Sequence, residues 1–302
     1  MKKLIKILLY ILTLTLMFMY KDKIISKITY MFDYNKQIVL NTPNSYYKNR
    51  EYQFVKQSKD FIPYSKQDLI NIYYSVLDRG YEAFTFYCPS EYINCLNDLE
   101  SIINDKDETL SSLNYFVSPF NSERKISTTY STNGEITLII EKLYNEEETN
   151  IINKKIDEII ATNIKEDMNL EDKILIIHDY IVNNTKYDID AQQGKTNYKS
   201  YSSYGALIEG YATCNGYADT MALFLDRFGV ENFRVASSTH VWNAALINNE
   251  WVHIDVTWDD PVTNNPNKNE LFHEFYLIST KTLESYNIKE HDFNKIIYRE
   301  VA

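Results

Sequence analysis

The first hydrophobic pattern in the chain is a continuous apolar run behind a basic N-terminus. Lys2, Lys3 and Lys6 precede it, and residues 7–20 are apolar apart from two threonines. This order is typical of a signal sequence, although the run is short for a membrane span, which needs ~20 residues. No small-residue cleavage site follows. Residues 1–23 therefore predict an uncleaved signal-anchor with its positive end in the cytoplasm, and a cleaved signal peptide is the alternative.

Short helical and strand-like patterns alternate over residues 24–143. A polar spacer ends in a predicted strand near Tyr52–Val55. Apolar residues at helical spacing predict a helix over 65–79, where Ser65 and Asp68 give a start like a capping box. The other predicted elements are a strand over 83–87, a helix from Pro89 to about Asn104, and strands over 125–130 and 135–142 joined at Asn133-Gly134. Together they predict a small N-terminal α+β domain.

Residues 144–302 begin with two amphipathic helices, predicted over 146–163 and 169–184. His178 lies on the second helix, and a single histidine in such a place is more often structural than catalytic. A third helix starts near Cys214, and its apolar residues cover most of its circumference, which predicts a buried helix. We expect this part of the chain to form a second α+β domain.

Two strand-like runs follow the third helix, over residues 240–247 and 250–258. The pair Asn248-Asn249 separates them, and asparagine tolerates the left-handed backbone of a tight hairpin turn. The pattern therefore predicts an antiparallel hairpin with a two-residue loop.

The length of that loop sets the register. With two residues in the loop, Ala244 opposes His253 and Trp242 opposes Asp255. His240 then lies on the same face as Asp255 and diagonal to it, within reach of a hydrogen bond between the two side chains. A three-residue loop would place His240 and Asp255 on opposite faces.

Composition limits the classes of function. The net charge is −11 without a basic stripe, which argues against nucleic acid as a partner. Only 7 glycines occur in 302 residues, which argues against a glycine-rich cofactor-binding protein, and we predict no cofactor. Cys88, Cys95 and Cys214 are too few for a disulfide scaffold. Cys88 and Cys95 could pair outside the cytosol, but we expect two unpaired thiols. In either case Cys214 is left over.

Cys214 is placed for chemistry. Thr213 can cap the third helix, which leaves Cys214 at the first helical position. Unpaired N–H groups at a helix N-terminus favour the thiolate, which is the reactive form, and can stabilise an oxyanion. Gly216 in the first turn indicates close approach of another backbone or of a substrate. The alternative is a buried structural cysteine, because free cysteine is often buried.

A histidine and an aspartate complete a possible nucleophilic site. His240 can serve as acid and base for Cys214, and Asp255 can orient the imidazole. His253 shares the face of Asp255 and is expected to support the site by hydrogen bonding. These four residues could also bind a metal, but no closely spaced ligand pair matches a common zinc pattern, and we predict no metal.

Three separated segments resemble the bacterial transglutaminase-like family. They are YGALIEG-x-A-x-CNGYA, HVWNAALINNEW and HIDVTWDDP, preceded by IIHDYIVNNTKYD, and the similarity spans about residues 170–261. The resemblance implies a papain-like α+β fold with a nucleophile helix packed on an antiparallel sheet. It also implies Cys214, His240 and Asp255 as the catalytic triad.

The resemblance implies attack on protein or peptide amides through a thioester. The related reactions are transglutaminase-like transfer to an amine and hydrolysis by a cysteine peptidase or amidase. We expect an enzyme outside the cytoplasm, secreted or membrane-anchored, acting on proteins or cell-wall peptides. The alternative is a non-catalytic binding or assembly module with the same fold. Trp242, Trp258 and Tyr204 are predicted to contact substrate, and Tyr187 or Tyr204 is a candidate oxyanion donor.

Overall fold

The computed structural model describes residues 2–21, 38–105, 109–261 and 271–302. Helices in these ranges are α1 Lys2–Met19, α2 Lys66–Asp78, α3 Cys95–Ile103, α4 Thr109–Ser112, α5 Glu146–Asn163, α6 Leu170–Asn184, α7 Ile189–Gln192, α8 Cys214–Arg227 and α9 Thr280–Ser285. The strands are β1 Ala83–Tyr87, β2 Glu123–Tyr130, β3 Glu135–Lys142, β4 Lys186–Tyr187, β5 Tyr211–Ala212, β6 Asn232–Ala236, β7 Val241–Ile247 and β8 Glu250–Ile254.

The N-terminal apolar run forms α1, which is 18 residues long. Across the described residues, no helix has both the length and the apolar character that a membrane crossing requires. The signal-anchor predicted for residues 1–23 therefore gains no support from this helix, and the signal peptide stays a prediction.

The long helices begin where a capping side chain precedes an apolar pattern. The Ser65 side chain accepts the Asp68 N–H ahead of α2, and Asn169 caps α6 in the same way. Asn145 and Glu148 form a full capping box at the start of α5. Each such cap is worth about 1 kcal/mol. The predicted bounds of these three helices agree with the structure to within a residue.

The N-terminal sheet is antiparallel and has the strand order β1-β3-β2. Ile136, Leu138 and Ile140 alternate along β3 and are all buried, as a period of two requires. The loop between β2 and β3 ends at Gly134, which has a φ of 87° that favours glycine. The predicted hairpin is confirmed.

The strand predicted near Tyr52–Val55 is wrong. The chain bends at residues 53–54, and the Tyr52 N–H donates to the Val55 carbonyl across this bend at 2.9 Å. The side chains of Tyr52 and Val55 are both buried in the core. Their apolar character gave the sequence its strand-like pattern.

The expectation of two free thiols at Cys88 and Cys95 is also wrong, because these residues form a disulfide. We predicted a helix from Pro89. In a helix, two Cα atoms seven residues apart are separated by about 10 Å, which is too far for a disulfide. Instead α3 begins only at Cys95, and the chain turns between the two cysteines. Their Cα atoms are therefore 5.8 Å apart, which suits a disulfide.

The central sheet has the order β6-β7-β8. Asn248 and Asn249, with φ values of 51° and 66°, form the two-residue turn between β7 and β8. Ala244 therefore pairs with His253, so the predicted register is confirmed. The second strand is shorter than predicted, since β8 ends at Ile254 and Asp255 follows it.

The central sheet separates two hydrophobic cores. Along β7, Trp242 and Ala244 belong to the first core, while Ala245 and Ile247 belong to the second. The second core also contains the buried faces of α5, α6 and α8. A helix packed on an antiparallel sheet is thus present, as predicted.

The first core includes residues from both sides of the predicted domain division at 143/144. Tyr52 and Phe116 pack on Phe233 of β6, with ring centroids 5.5 and 5.3 Å apart. The central sheet therefore rests on the N-terminal part of the chain, and the division itself stays a prediction.

A buried ion pair fixes α8 to this framework. Arg234 of β6 pairs with Asp219 of α8, and each side chain is 4% exposed. Arg234 also donates to the Val117 carbonyl, and the Tyr144 hydroxyl donates to Asp219 at 2.6 Å. These contacts hold the helix that carries Cys214 at a fixed position on the sheet.

Candidate active site

Cys214 lies at the first position of α8, directly after the short strand β5. Thr213 occupies the N-cap position with an extended backbone, as predicted. Its side chain makes no capping hydrogen bond within the described chain, and its hydroxyl donates to the Ser200 carbonyl at 3.3 Å. The first-turn N–H groups of α8, where Cys214 lies, are therefore not capped by Thr213.

Gly216 lets another backbone approach the first turn of α8, as the sequence indicated. A Cβ atom at this position would lie 2.6 Å from the Ser200 carbonyl oxygen and 2.9 Å from that of Ser202. The loop that contains Ser200 thus packs directly on the helix start. This contact positions the loop next to Cys214.

His240 joins the other two predicted residues. Its Nε2 atom is 2.6 Å from Asp255 Oδ2, and the Cys214 thiol is near enough to raise the pKa of the ring. Because Nε2 is occupied by the carboxylate, Nδ1 is the ring nitrogen that remains for the thiol. The structure therefore brings Cys214, His240 and Asp255 together in the predicted order.

Asp255 is 1% exposed and accepts four hydrogen bonds. Oδ1 accepts the backbone N–H groups of Thr257 and Trp258 at 3.1 and 3.2 Å. Oδ2 is 2.6 Å from His240 and 2.8 Å from His291. Burial alone would raise the pKa of this carboxyl, but the two histidines hold it well below its usual range. Asp255 is thus an ionised acceptor with all its lone-pair positions used.

His291 is a site residue that sequence reasoning missed. It ends the short turn Lys289–His291, is 5% exposed, and packs against Trp242 and Trp258 with centroid distances of 5.0 and 5.1 Å. Its Nδ1 atom is buried and finds no hydrogen-bond partner among the described residues. No local motif surrounds it, and only the folded C-terminal segment brings it to Asp255.

The charge state of His240 follows from its neighbours. Burial lowers its pKa, but the Asp255 carboxylate and then the Cys214 thiol raise it to about 10. The ring is therefore positively charged at neutral pH. A cation beside a thiol stabilises the thiolate, which is the nucleophilic form.

His253 is a neutral support beneath the site. Its Nδ1 atom accepts the Trp242 Nε1–H at 3.0 Å, and its Nε2 lies 3.0 Å from the Thr280 hydroxyl. Burial and the nearby charge of His291 lower the pKa of His253 to about 4. The predicted role as a hydrogen-bonding support agrees with this geometry.

The residues predicted to contact substrate occupy different positions. Trp242 is 1% exposed and stacks on the His240 ring at 5.7 Å, so it backs the imidazole. Trp258 is half-buried and meets the same ring edge-on at 6.4 Å. The Tyr204 ring is half-buried and lies 4.6 Å from the Lys199 ammonium group. Of the three, Trp258 combines contact with His240 and exposure to solvent.

Tyr187 is half-buried, and its pKa is affected by Cys214. Burial and then the charge of Cys214 raise its pKa, and its hydroxyl accepts a hydrogen bond from Gln192 at 2.8 Å. A neutral phenol next to the nucleophile can donate to an oxyanion. Of the two tyrosines that we considered as donors, Tyr187 has this electrostatic contact with Cys214.

His178 has the structural surroundings that its helix position predicted. It is fully buried, and its ring nitrogens each lie 3.1 Å from a carboxylate oxygen, one of Asp179 and one of Asp259. It therefore links α6 to the segment after β8. Its nearest titratable partners are these carboxylates rather than Cys214.

Comparison with known proteins shows which family part of the chain is similar to. Residues 158–256 match the model of the transglutaminase-like superfamily. One similar solved structure is described as a TGase, with 17% identity, a TM-score of 0.33, and coverage of 49% of this chain and 47% of that one. Another is a candidate cysteine protease from Cytophaga hutchinsonii, with 15% identity, a TM-score of 0.28, and coverage of 44% and 61%. No curated protein matches the chain.

The matched segment runs from within α5 to just after β8. It contains Cys214, His240 and Asp255, whereas His291 lies outside it. Residues 158–256 therefore match the superfamily that the sequence motifs indicated.

Proposed function

We propose that this protein is a thiol-dependent acyl-transfer enzyme that attacks amide carbonyls of proteins or peptides through Cys214. The observation that carries the proposal is the His240 ring, which is hydrogen-bonded to Asp255 at 2.6 Å and whose pKa is raised by Asp255 and by the neighbouring Cys214 thiol. This is the arrangement of nucleophile, acid/base and orienting carboxylate that thiol acyl transfer uses.

The first half-reaction forms a thioester. The Cys214 thiolate attacks the amide carbon, and the carbonyl oxygen takes up the negative charge. The N–H groups at the start of α8 and the Tyr187 hydroxyl are the donors available to this oxyanion. The imidazolium of His240 then gives its proton to the leaving amine as the C–N bond breaks.

The second half-reaction releases the acyl group. An incoming amine or water attacks the thioester carbon, and neutral His240 takes its proton. The C–S bond breaks, and the Cys214 thiolate returns beside the imidazolium. An amine acceptor makes the protein a transferase, and water makes it a peptidase or amidase.

Two residues around the triad have supporting roles in this proposal. His291 holds Asp255 through the same oxygen that bonds His240, and so it is a positioning residue. Trp258, which is half-buried beside the imidazole, is the aromatic surface that substrate would meet. Asp255 in turn fixes the ring angle and tautomer of His240.

The substrate that we propose is a protein or a cell-wall peptide outside the cytoplasm. The Cys88–Cys95 disulfide supports this location, because disulfides persist in oxidising compartments. The signal-sequence pattern of residues 1–23 supports export as well. Attachment to the membrane through that segment, or secretion, belongs to the same proposal.

A binding or assembly module is the second candidate. The observation that favours it is the burial of Cys214, which is 8% exposed. In such a module the three residues would keep a structural hydrogen-bond network without turnover. The two candidates differ in the reactivity of the thiol.

Labelling of Cys214 with iodoacetamide separates these candidates. Cys88 and Cys95 are joined, so Cys214 is the only thiol available to the reagent. We expect fast labelling from pH 5 to 8 in the native protein and much slower labelling at pH 5 to 6 in His240→Ala. Cys214→Ala is the control and should take up no label. Equal, slow labelling of native protein and His240→Ala would favour the binding module.

Mass spectrometry then distinguishes the two reactions. A glutamine-containing peptide is incubated with the native protein and a primary amine. A transferase yields the amine adduct, whereas a hydrolase yields the free acid. Cys214→Ala should yield neither product.

A further inference from the structure

A second cluster of chemically active side chains lies outside the candidate active site. His178 and Asp179 lie on α6, and His273 lies on the segment that follows β8. Asp179 Oδ1 is 3.1 Å from His178 Nδ1 and 2.8 Å from His273 Nε2. The three ligand-type atoms all lie within 4.8 Å of one another.

The His178 ring faces two carboxylates, and a neutral imidazole has only one N–H to give. Its Nε2 atom is 3.1 Å from Asp259 Oδ2. Asp259 is fully buried and also accepts the Phe275 N–H on its two oxygens at 3.1 and 3.2 Å. Because Asp259 is a buried acceptor, the His178 N–H belongs on Nε2.

That assignment leaves a lone pair on His178 Nδ1 that faces Asp179 Oδ1 at 3.1 Å. Two acceptors at this distance repel each other unless a positive charge lies between them. A second ring proton could supply that charge. A metal cation could supply it as well, and would also satisfy His273.

Two features of the cluster favour a metal cation. A metal-binding histidine usually donates its other ring N–H to a carboxylate, as His178 does to Asp259. Two imidazole nitrogens and one carboxylate oxygen form a donor set that suits zinc and other first-row divalent ions, with open positions for water. The side chains of His273 and Asp179 are 42% and 32% exposed, which gives an ion a route from solvent.

We propose that His178 Nδ1, Asp179 Oδ1 and His273 Nε2 bind a divalent transition-metal ion such as Zn²⁺. The ion would join the segment around His273 to α6. That segment already packs there, since the Tyr276 ring lies 5.4 Å from the His178 ring and its hydroxyl donates to the Glu171 carbonyl at 2.6 Å. The site is therefore structural, and it is independent of the proposed acyl transfer.

Zinc titration of the full chain tests the site. Cys214→Ser serves as the background, because Cys214 and His240 could bind zinc on their own. We expect one Zn²⁺ per chain by equilibrium dialysis and metal analysis. In this background His273→Ala should weaken binding by about tenfold or more, and Asp179→Asn should do the same.

Glu274→Ala is the matched control, because Glu274 is an exposed neighbour of His273. It should bind Zn²⁺ as the background does. A far-ultraviolet circular dichroism spectrum of each variant excludes loss of fold. Co²⁺ in place of Zn²⁺ gives a second measurement, since its visible absorption should report histidine ligands in the background and be lost in His273→Ala.

The proposal is overturned by the absence of Zn²⁺ binding at micromolar concentration, or by equal binding in His273→Ala and Glu274→Ala. Neither outcome bears on the iodoacetamide reactivity of Cys214, so failure here is separate from failure of the proposed function.

Discussion

At the residue scale, the oxygen atoms of Asp255 decide how firmly His240 is held. Oδ2 is shared between His240 and His291, at 2.6 and 2.8 Å. Each donor lowers the freedom of the carboxylate to rotate away from the imidazole. The second histidine therefore acts on the nucleophile only through Asp255 and His240.

His291→Ala removes one donor and leaves a buried carboxylate oxygen short of one bond, which costs about 1–3 kcal/mol. We expect iodoacetamide labelling of Cys214 at pH 6 to slow by roughly tenfold, the equivalent of about 1.4 kcal/mol. His291→Gln keeps an N–H donor of similar reach and should recover most of the rate. If both variants label as fast as the native protein, His291 does not position Asp255.

The pKa of His240 also gives a prediction for stability. Its folded value of about 10 lies above the ordinary 6.5. A raised pKa contributes stability that is fully present below about 6.5 and is lost as the pH rises through about 10. The free energy of unfolding should therefore differ most between native protein and His240→Gln at pH 6, and least above pH 10.

Urea denaturation of both proteins at pH 6, 8 and 10 measures that difference. Asp255 contributes to stability with the opposite pH dependence to His240. Its lowered pKa stabilises the fold above about 4, and that stability is lost in acid. A difference between native protein and His240→Gln that stays constant from pH 6 to 10 would contradict a raised pKa.

At the element scale, the start of α8 is set by backbone contact rather than by helix propensity. Glycine inside a helix costs about 1 kcal/mol relative to alanine. Gly216 nevertheless occupies the first turn, because the Ser200 and Ser202 carbonyls leave no room for a Cβ atom. The close approach of the loop backbone therefore outweighs the low helix propensity of glycine at this position.

Gly216→Ala should therefore destabilise the protein, even though it improves helix propensity. Overpacking of this kind costs about 1–3 kcal/mol, and backbone carbonyl oxygens cannot move aside as a flexible side chain can, so we expect the cost to exceed the gain of about 1 kcal/mol from alanine. Asn215→Ala, in the same turn but half-buried, is the control and should be close to neutral. Thermal unfolding of both variants makes the comparison, and a stabilised Gly216→Ala would show that the loop can move.

Local sequence signals made many of the helix bounds and strand pairings predictable. The helix caps and the Asn248-Asn249 turn act over a few residues, so the bounds of α5 and the pairing of β7 with β8 followed from the sequence. The pairing of Cys88 with Cys95 did not, because it depends on where α3 begins. The contact of His291 with Asp255 spans 36 residues and no local pattern encodes it.

At the scale of the whole molecule, one buried ion pair connects parts of the chain that are far apart in sequence. Arg234 lies on the central sheet, Asp219 on α8, and Tyr144 just after β3. Arg234 also reaches the Asn114 and Val117 carbonyls. The position of the Cys214 helix therefore depends on residues of the N-terminal half.

Asp219→Asn leaves the Arg234 charge buried without its partner, and breaking such a pair costs about 3–5 kcal/mol. Tyr144→Phe removes a neutral hydroxyl that donates to Asp219 and accepts the Ser203 N–H at 2.8 Å, and it should cost less, about 1–3 kcal/mol. Chemical denaturation of the two variants tests this order. If the two losses are similar, water or another acceptor compensates Arg234.

The disulfide between Cys88 and Cys95 has a practical consequence for the thiol of Cys214. An oxidant that forms the disulfide and gains access to Cys214, the cysteine left without a disulfide partner, would convert its thiol into a sulfenic acid or a mixed disulfide. A reductant that restores Cys214 can in turn open Cys88–Cys95. The double variant Cys88→Ser/Cys95→Ser separates the two effects, so recovery of its labelling by reductant reports on Cys214 alone.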